Sequence, residues 1–373
     1  MTAGVKTALV IGGGFSGMVA AICLQQQGIA VDLVEIDKDW RTYGAGISLN
    51  GATFRLFEHL GLMEAYLAVG AACDGVHIRG PQDQIFVELP TPPLMAGIPG
   101  NGGIMRPALA KILADKVRAA GVSVRLGVTF TAIDKDSGAV TFTDGSAGTY
   151  DLIVGADGFA SAVRKTLYPA APRPHYVGQA VWRAVVPSPA ELTTITMWMG
   201  PKLKAGVNQV SGSQSYLFLT EDKPVNDHVD PATFEAKLKA LLSKFPSPVL
   251  TRLAAGLGGD SQINYRPLEN MMLPLPWTRG RVVLIGDAVH ATTPHMAAGA
   301  LLGMEDGWVL AEEIAAQPTL HAAFAAFEGR RFERCRMVVD NSARLAEIEV
   351  TNGSHEEHAQ IMRATLGALA QPI

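Results

Sequence analysis

Apolar residues form short unbroken runs near both ends of the chain and alternate with polar ones through its middle. The run at 8–11 has the pattern of a strand buried on both faces. It ends in Gly12-Gly13-Gly14-Phe15-Ser16-Gly17. A helical stretch follows, with Met18, Ala21, Ile22 and Leu24 spaced for one buried face, and Gly28 closes it. Residues 30–35 read as a second strand that ends on the acid Glu35.

Asn50 or Gly51 opens a helix through His59, and 74–79 and 84–89 read as strands joined by a Gly-Pro turn. The Pro- and Gly-dense stretch 90–103 is a loop leaving one layer for another. Pro107 starts a helix whose inner stripe is Leu109, Ile112, Leu113 and Val117. Short strands are expected at 122–126, 129–133, 139–142 and 150–155, with a helix at 161–167 and a linker at 169–174. The strand-like middle has its best candidates at 180–186, 194–199 and 216–220, and an amphipathic helix over 231–245 covers the sheet. A buried strand returns at 281–286, and 299–316 and 320–345 are the longest helical patterns. Strands and helices alternate at both ends around a strand-rich centre. That order predicts an α/β domain built from separate stretches with a β-rich domain inserted into it.

At 373 residues the chain exceeds what one core usually supports, so two domains are expected. A charged fraction of 18% and a net charge of −4, without a basic run, exclude a nucleic-acid footprint. No stretch has the length and apolarity of a membrane span, and the first strand so near the start leaves no space for a signal peptide. Cys23, Cys73 and Cys335 are far apart and form no C-x-x-C pair, which argues against disulfides, zinc or a dithiol centre. A cytoplasmic protein without a metal is the expectation.

The opening loop fits G-x-G-x-x-G between a strand and a helix. Gly12 permits the tight turn, Gly14 lets a diphosphate approach the backbone, and Gly17 lets helix and strand pack closely. The free amides and dipole of the helix N-terminus face the phosphates. Glu35, 18 residues after Gly17, stands where a carboxylate accepts both hydroxyls of a ribose. The loop alone serves FAD or NAD equally. Gly44-Ala45-Gly46 is either a second close approach of backbone to something flat or a plain turn. Asp157 and Asp287 both close apolar strands beside glycine, where they can hold cofactor hydroxyls or cap the next helix.

The opening loop, Gly155-Ala156-Asp157-Gly158-Phe159-Ala160-Ser161-Ala162-Val163-Arg164, and Arg281-Val282-Val283-Leu284-Ile285-Gly286-Asp287-Ala288-Val289-His290 together resemble the three signature motifs of the single-component FAD-dependent aromatic hydroxylases. These are the p-hydroxybenzoate, salicylate and 6-hydroxynicotinate hydroxylases, and the likeness keeps motif order over nearly the whole chain. It implies a Rossmann-like FAD-binding domain over 1–73, 101–172 and 278–373, including a C-terminal helical segment. The β-rich substrate domain would be 74–100 with 173–277.

The resemblance places Gly12, Gly14, Phe15, Ser16 and Gly17 around the FAD diphosphate and Glu35 with Ile36 at the adenosine ribose. It places Arg41, Ala45, Gly46 and Ile47 along the flavin, Arg106 at the cofactor's middle and Phe130 beside the adenine. Asp287 would bind the ribityl hydroxyls, Asp157 and Arg164 belong to a joint FAD and NAD(P)H element, and Pro294, Gly299 and Ala300 lie at the flavin face. The family's P-x-x-G-Q-G-x-N pattern is altered here, with Ala297, Ala298 and Leu301 in place of Gly, Gln and Asn. The helix starting at Gly299 still turns its positive end toward the flavin.

On the substrate side, Arg183 and Tyr216 are similar to substrate-contacting positions of the pyridine-carboxylate members, Arg183 for a carboxylate and Tyr216 for a ring hydroxyl. Lys204 would stand near the ring, Ser48 would line the pocket, and His295 would be the titrating group, catalytic with Tyr216 and Arg183. His290 would make a structural hydrogen bond. The plain alternatives are surface ion pairs for the cations and an ordinary sheet position for Tyr216. The implied activity uses NADH or NADPH and O₂ to hydroxylate a small aromatic or N-heterocyclic acid through a flavin hydroperoxide, in a monomer or homodimer. A flavin-binding protein that does not hydroxylate, or an FAD-dependent oxidase or reductase, is the alternative.

Overall fold

The computed structural model describes residues 3–42 and 44–373. The opening unit is β1 (Thr7–Ile11), α1 (Phe15–Gln26) and β2 (Ala30–Glu35). Next come β3 (Gly46–Asn50), α2 (Gly51–His59), α3 (Met63–Val69), β4 (Ala71–Cys73), β5 (Val76–Arg79) and β6 (Ile85–Leu89). β7 (Asn101–Met105) leads into α4 (Arg106–Ala119). β8 (Ser123–Leu126), β9 (Phe130–Ile133), β10 (Ala139–Phe142), β11 (Ala147–Thr149) and β12 (Leu152–Gly155) precede α5 (Ala162–Leu167). The middle holds β13 (His175–Pro187), β14 (Ile195–Gly200), β15 (Leu203–Gln209), β16 (Gln214–Asp222), α6 (Phe234–Leu242), α7 (Pro248–Ala255) and β17 (Asn264–Met272). The last elements are β18 (Thr278–Arg279), β19 (Val282–Leu284), β20 (His290–Ala291), α8 (Gly299–Ala316), α9 (Leu320–Thr351) and α10 (His355–Ala370).

The apolar runs at the two ends assemble into one six-stranded sheet of order β18-β19-β12-β1-β2-β8. β1 lies between β12 and β2 and pairs in parallel with both, so the strand order reverses there. The carboxyl end of such a switch point opens a crevice, and here it is bounded by the turns after β1, β2, β12 and β19. α1 is buried all round from Gly17 to Leu24, not on the single face its spacing predicts. The reason is α8, which crosses it closely: a methyl on Gly307 would stand 2.5 Å from the Ala20 nitrogen.

The strand-rich middle forms an eight-stranded sheet of order β20-β17-β13-β16-β15-β14-β5-β6. Its alternation separates two faces. Trp182, Ala184 and Val186 of β13 join Trp198, Leu217 and Leu219 in a core with Leu238 and Leu242 of α6 and Leu250 of α7. The opposite face carries Gln179 and Arg183, with Arg183 opposite Phe218 and Phe218 opposite Gly206. That second face meets the three-stranded layer β3-β7-β4 through a small cluster of Ala45, Val185, Val210 and Tyr216. β3, α3, β4, β7, β11, β15, β17, α7, β18, β20 and α10 fall outside the sequence-predicted elements, β7 beginning within the expected loop 90–103, and α9 runs on to Thr351. The three cysteines are free and buried. No helix among the described residues is long and apolar enough to cross a membrane.

Candidate active site

The turn after β1 has the geometry of a phosphate cradle. Gly12 adopts φ 107°, and a side chain there would run into the backbone of Ala156, just after β12. A methyl on Gly17 would overlap the Gly12 carbonyl oxygen, so the glycine lets α1 sit directly on the turn. Gly14 is different: nothing lies within 4 Å of the place its side chain would take. The first helical bond runs from Met18 N–H to the Gly14 carbonyl. The amides of Phe15, Ser16 and Gly17 therefore lack intrahelical partners and are available to an anion. These residues fit an FAD diphosphate.

Glu35 stands at the end of β2 beside this loop. Its Oε2 accepts from Gly13 N–H at 2.7 Å and its Oε1 from Asp37 N–H at 2.8 Å. Trp40, a residue the sequence reading left without a role, donates from Nε1 to the Gly13 carbonyl at 2.8 Å. Ile36 is exposed next to them. Val128 donates its N–H to the Glu35 carbonyl, which brings the segment leading to Phe130 alongside; Phe130 itself pairs with Phe142.

The turn after β19 is held from behind. Asp306 Oδ2 accepts from Gly286 N–H at 2.8 Å and from His290 Nε2 at 2.5 Å, while its Oδ1 accepts from Arg331 Nε at 2.7 Å. Arg331 also donates to Glu305, which Arg334 contacts in turn. His290 is thus structural, as expected. His290, Asp306 and Cys335 offer ligand atoms within 4.8 Å of one another, but the Arg331 guanidinium already neutralises the acid among them. Arg331 and Glu305 were not singled out from sequence. The signal was present: Arg331 lies on the apolar stripe of α9, four residues after Phe327 and four before Cys335.

Asp287 is reachable by water yet hemmed in by protein, as befits a residue on a crevice floor. Burial pushes its carboxyl above the usual range, with His290 and Arg106 pulling the other way. Arg106, at the start of α4, is depressed by burial and by the Arg183 cation, with Tyr216 and Asp287 opposing. Arg183, Tyr216 and Asp287 therefore all lie within electrostatic reach of Arg106. Arg183 Nε donates to Tyr216 Oη at 2.9 Å, and the Tyr216 ring lies 5.5 Å from that of Phe218. Tyr216 also packs on Gly46, where a methyl would come within 2.6 Å of its Cβ. The close approach expected of Gly44-Ala45-Gly46 is thus made on one side by the substrate sheet.

Several expectations are corrected. His295 does not offer a titrating ring to the crevice: its side chain is 1% exposed and both nitrogens are engaged. Nε2 lies 3.0 Å from Gln179 Oε1 and Nδ1 lies 2.9 Å from Thr293 Oγ1. Burial depresses its proton affinity, with Glu349 opposing. Because the Gln179 amide nitrogen donates to Glu349, its oxygen faces the ring and accepts from Nε2 of His295. Lys204 is likewise turned away from a substrate, paired with Glu349 at 2.5 Å, each side chain 12% exposed.

The Asp157 carboxylate caps α5 by accepting from the N–H groups of Ala162 and Val163 and from the Ser161 hydroxyl, so the plainer of its two readings describes its side chain. Arg164 ties the segment to the turn at Asp287 by donating to the Ala288 carbonyl. Ala45 and Ile47 are buried in cores, which leaves only their backbone for a cofactor. Arg41 is exposed and paired with Asp37 and Asp39. Ser48 accepts from Asn208 Nδ2 at 3.0 Å and joins the two layers. Pro294 is exposed, and Gly299 and Ala300 are half-buried at the uncapped start of α8.

A glycine turn with free helix amides at a topological switch point, with the acid Glu35 beside it, has the geometry of a dinucleotide site. The profile of the family described as an FAD binding domain matches residues 5–342. The chain belongs to this family and, within it, to the single-component FAD-dependent aromatic hydroxylases. The aurachin C monooxygenase/isomerase of Stigmatella aurantiaca is 30% identical over 364 residues, 92% of this chain and 89% of that protein. The structure of Klebsiella pneumoniae HpxO complexed with FAD and uric acid superposes with a TM-score of 0.84 at 27% identity, covering 99% of this chain and 94% of that one. A tetrameric form of 2-methyl-3-hydroxypyridine-5-carboxylic acid oxygenase gives a TM-score of 0.79 at 26% identity, covering 98% of each chain. The protein is an FAD-dependent aromatic monooxygenase.

Proposed function

We propose that this monooxygenase uses NAD(P)H and O₂ to hydroxylate a small aromatic or N-heterocyclic acid of the pyridine-carboxylate type. One observation carries the reading. Arg106 and Arg183 lie within electrostatic reach of each other, and among the described residues no carboxylate pairs with either guanidinium within 4.0 Å. Two neighbouring cations partly withdrawn from water, with Asp287 the nearby acid but no carboxylate in ion-pair contact with either, favour an anionic ligand. The pyridine carboxylate named for one structural relative has that chemistry.

FAD, when bound, supplies electron acceptance from NAD(P)H and the activation of O₂. The chain's own residues do the rest. Arg183 spends its Nε on Tyr216 Oη, which leaves its two terminal nitrogens to fork onto a carboxylate. Tyr216 accepts that bond, so its own proton is free to be donated to a ring oxygen of the substrate. Phe218 and the Gly46 turn close the apolar side and exclude water. The uncapped first turn of α8 directs free amides at negative charge developing on the bound cofactor. In this reading residues 1–73, 101–172 and 278–373 hold FAD, and 74–100 with 173–277 hold the substrate.

The test is a panel of aromatic and pyridine carboxylic acids beside their decarboxylated analogues, scored by acceleration of NADH and NADPH oxidation and by labelled oxygen in the product. Acids should stimulate coupled turnover and their neutral analogues should not. Equal stimulation by both series would refute the acid specificity, and turnover without labelled product would refute hydroxylation of these compounds.

A further inference from the structure

Gly13 is the one glycine of the Gly12-Gly13-Gly14 run that the G-x-G-x-x-G spacing does not ask for. Its backbone does not ask for it either, since φ is positive at Gly12 but not at Gly13. The demand comes from Trp40: a methyl on Gly13 would stand 2.5 Å from the indole Nε1. Both peptide planes beside Gly13 are tied to side chains. Its N–H donates to Glu35 Oε2 at 2.7 Å, and its carbonyl accepts from Trp40 Nε1 at 2.8 Å. The half-buried indole is itself held, with the Arg118 guanidinium of α4 over its ring at 5.0 Å from the centroid. Trp40 stands at φ 50°, a left-handed conformation unfavourable for a residue with a Cβ, so the chain keeps the ring here against a local cost.

A trans peptide sets the carbonyl of one residue and the N–H of the next on opposite sides. With the Gly13 carbonyl turned to the indole, the Gly14 N–H points away from it, and that N–H has no acceptor among the described residues. We propose that Trp40 is a positioning residue for FAD: its indole N–H locks the Gly13–Gly14 peptide in the orientation that presents the Gly14 N–H to the cofactor diphosphate. Neither glycine carries a Cβ, so without the indole bond this plane is free to turn over. The turned peptide would set the Gly13 carbonyl oxygen against the phosphate oxygens, acceptor against acceptor. The lock is closed in the FAD-free chain, so the loop is ordered before the diphosphate arrives and binding is spared that ordering cost.

Trp40→Phe keeps a ring beneath Arg118 and removes the donor. Dilution of the FAD-loaded full chain, followed by the fluorescence of released flavin, should show the FAD dissociation constant raised roughly three- to tenfold, the worth of one hydrogen bond. Urea unfolding of the same chain without FAD should keep its midpoint. Gly13→Ala should also weaken FAD binding, because its methyl displaces the indole. Added to Trp40→Ala, which clears that space, Gly13→Ala should cost far less than it does alone. An unchanged dissociation constant in Trp40→Phe overturns the proposal. So does a loss of affinity accompanied by a lowered urea midpoint, or additivity of Gly13→Ala with Trp40→Ala. A Trp40→Phe chain that does not fold makes the indole a prop of the fold and overturns it as well.

Discussion

Replacing Lys204 with Met separates two accounts of this residue, substrate contact and buried ion pair. Lys204 meets Glu349 at 2.5 Å, and Glu349 is also approached by His358 at 3.3 Å, His295 at 3.4 Å and Gln179 at 3.3 Å. Five segments thus converge on one carboxylate: β15, α9, α10, β13 and the turn before α8. Burial works to raise the Glu349 pKa, yet Lys204 and His295 outweigh it and hold it well below the usual range. Removing one partner of a fully buried pair costs about 3–5 kcal/mol. The residual 12% exposure and the three remaining donors reduce this, so we expect a loss of roughly 2–3 kcal/mol for Lys204→Met. Urea unfolding of the FAD-loaded protein measures it, and Lys204→Met with Glu349→Leu should recover most of the loss. An unchanged unfolding midpoint with a raised KM would refute the pairing argument and return Lys204 to the substrate.

Other outcomes follow from the same geometry. Gly14→Ala should leave the apoprotein's stability unchanged, because the side chain enters open space, while FAD affinity measured by fluorescence titration falls; Gly17→Ala should instead destabilise the apoprotein itself. Arg183→Gln should raise KM for acid substrates by roughly ten- to a hundredfold, the effect of about 1.5–3 kcal/mol for a charge-assisted bond, with FAD binding intact. Ala297 sits at φ 49°, a left-handed conformation that favours glycine, so Ala297→Gly should stabilise the protein by up to about 1 kcal/mol in urea unfolding. Burial holds the His295 pKa below its unfolded value, so the unfolded chain takes up that proton first. Stability should decline as pH falls below about 6.5 and this component should vanish in His295→Gln.

The cofactor half was largely legible. The turn glycines, Glu35 and the helix over 299–316 stand where spacing put them, because strand runs and helix caps are local signals. The substrate half was harder to read for a physical reason. Lys204 and Asn208 blurred the alternation of β15, which lay within the strand-like middle but was not among its best strand candidates. Side-chain direction was also beyond the sequence at His295, whose backbone belongs to the turn before α8 while its ring enters a buried polar cluster. Glu349 could have been found, since it continues the apolar stripe of α9 four residues after Leu345, where a charged residue is out of place unless paired.

The two faces of the eight-stranded sheet have separate duties. Along β13, Trp182, Ala184 and Val186 anchor the helical cover while Arg183 and Val185 look the other way, toward the crevice. On the proposed assignment of the substrate to this face, a mutation at Arg183 would alter what binds there and leave the helical underside packed as before. If this face holds the substrate as proposed, substrate preference can drift, in evolution or in a designed library, through alternate residues of β13, β15 and β16 with the helical cover unaltered.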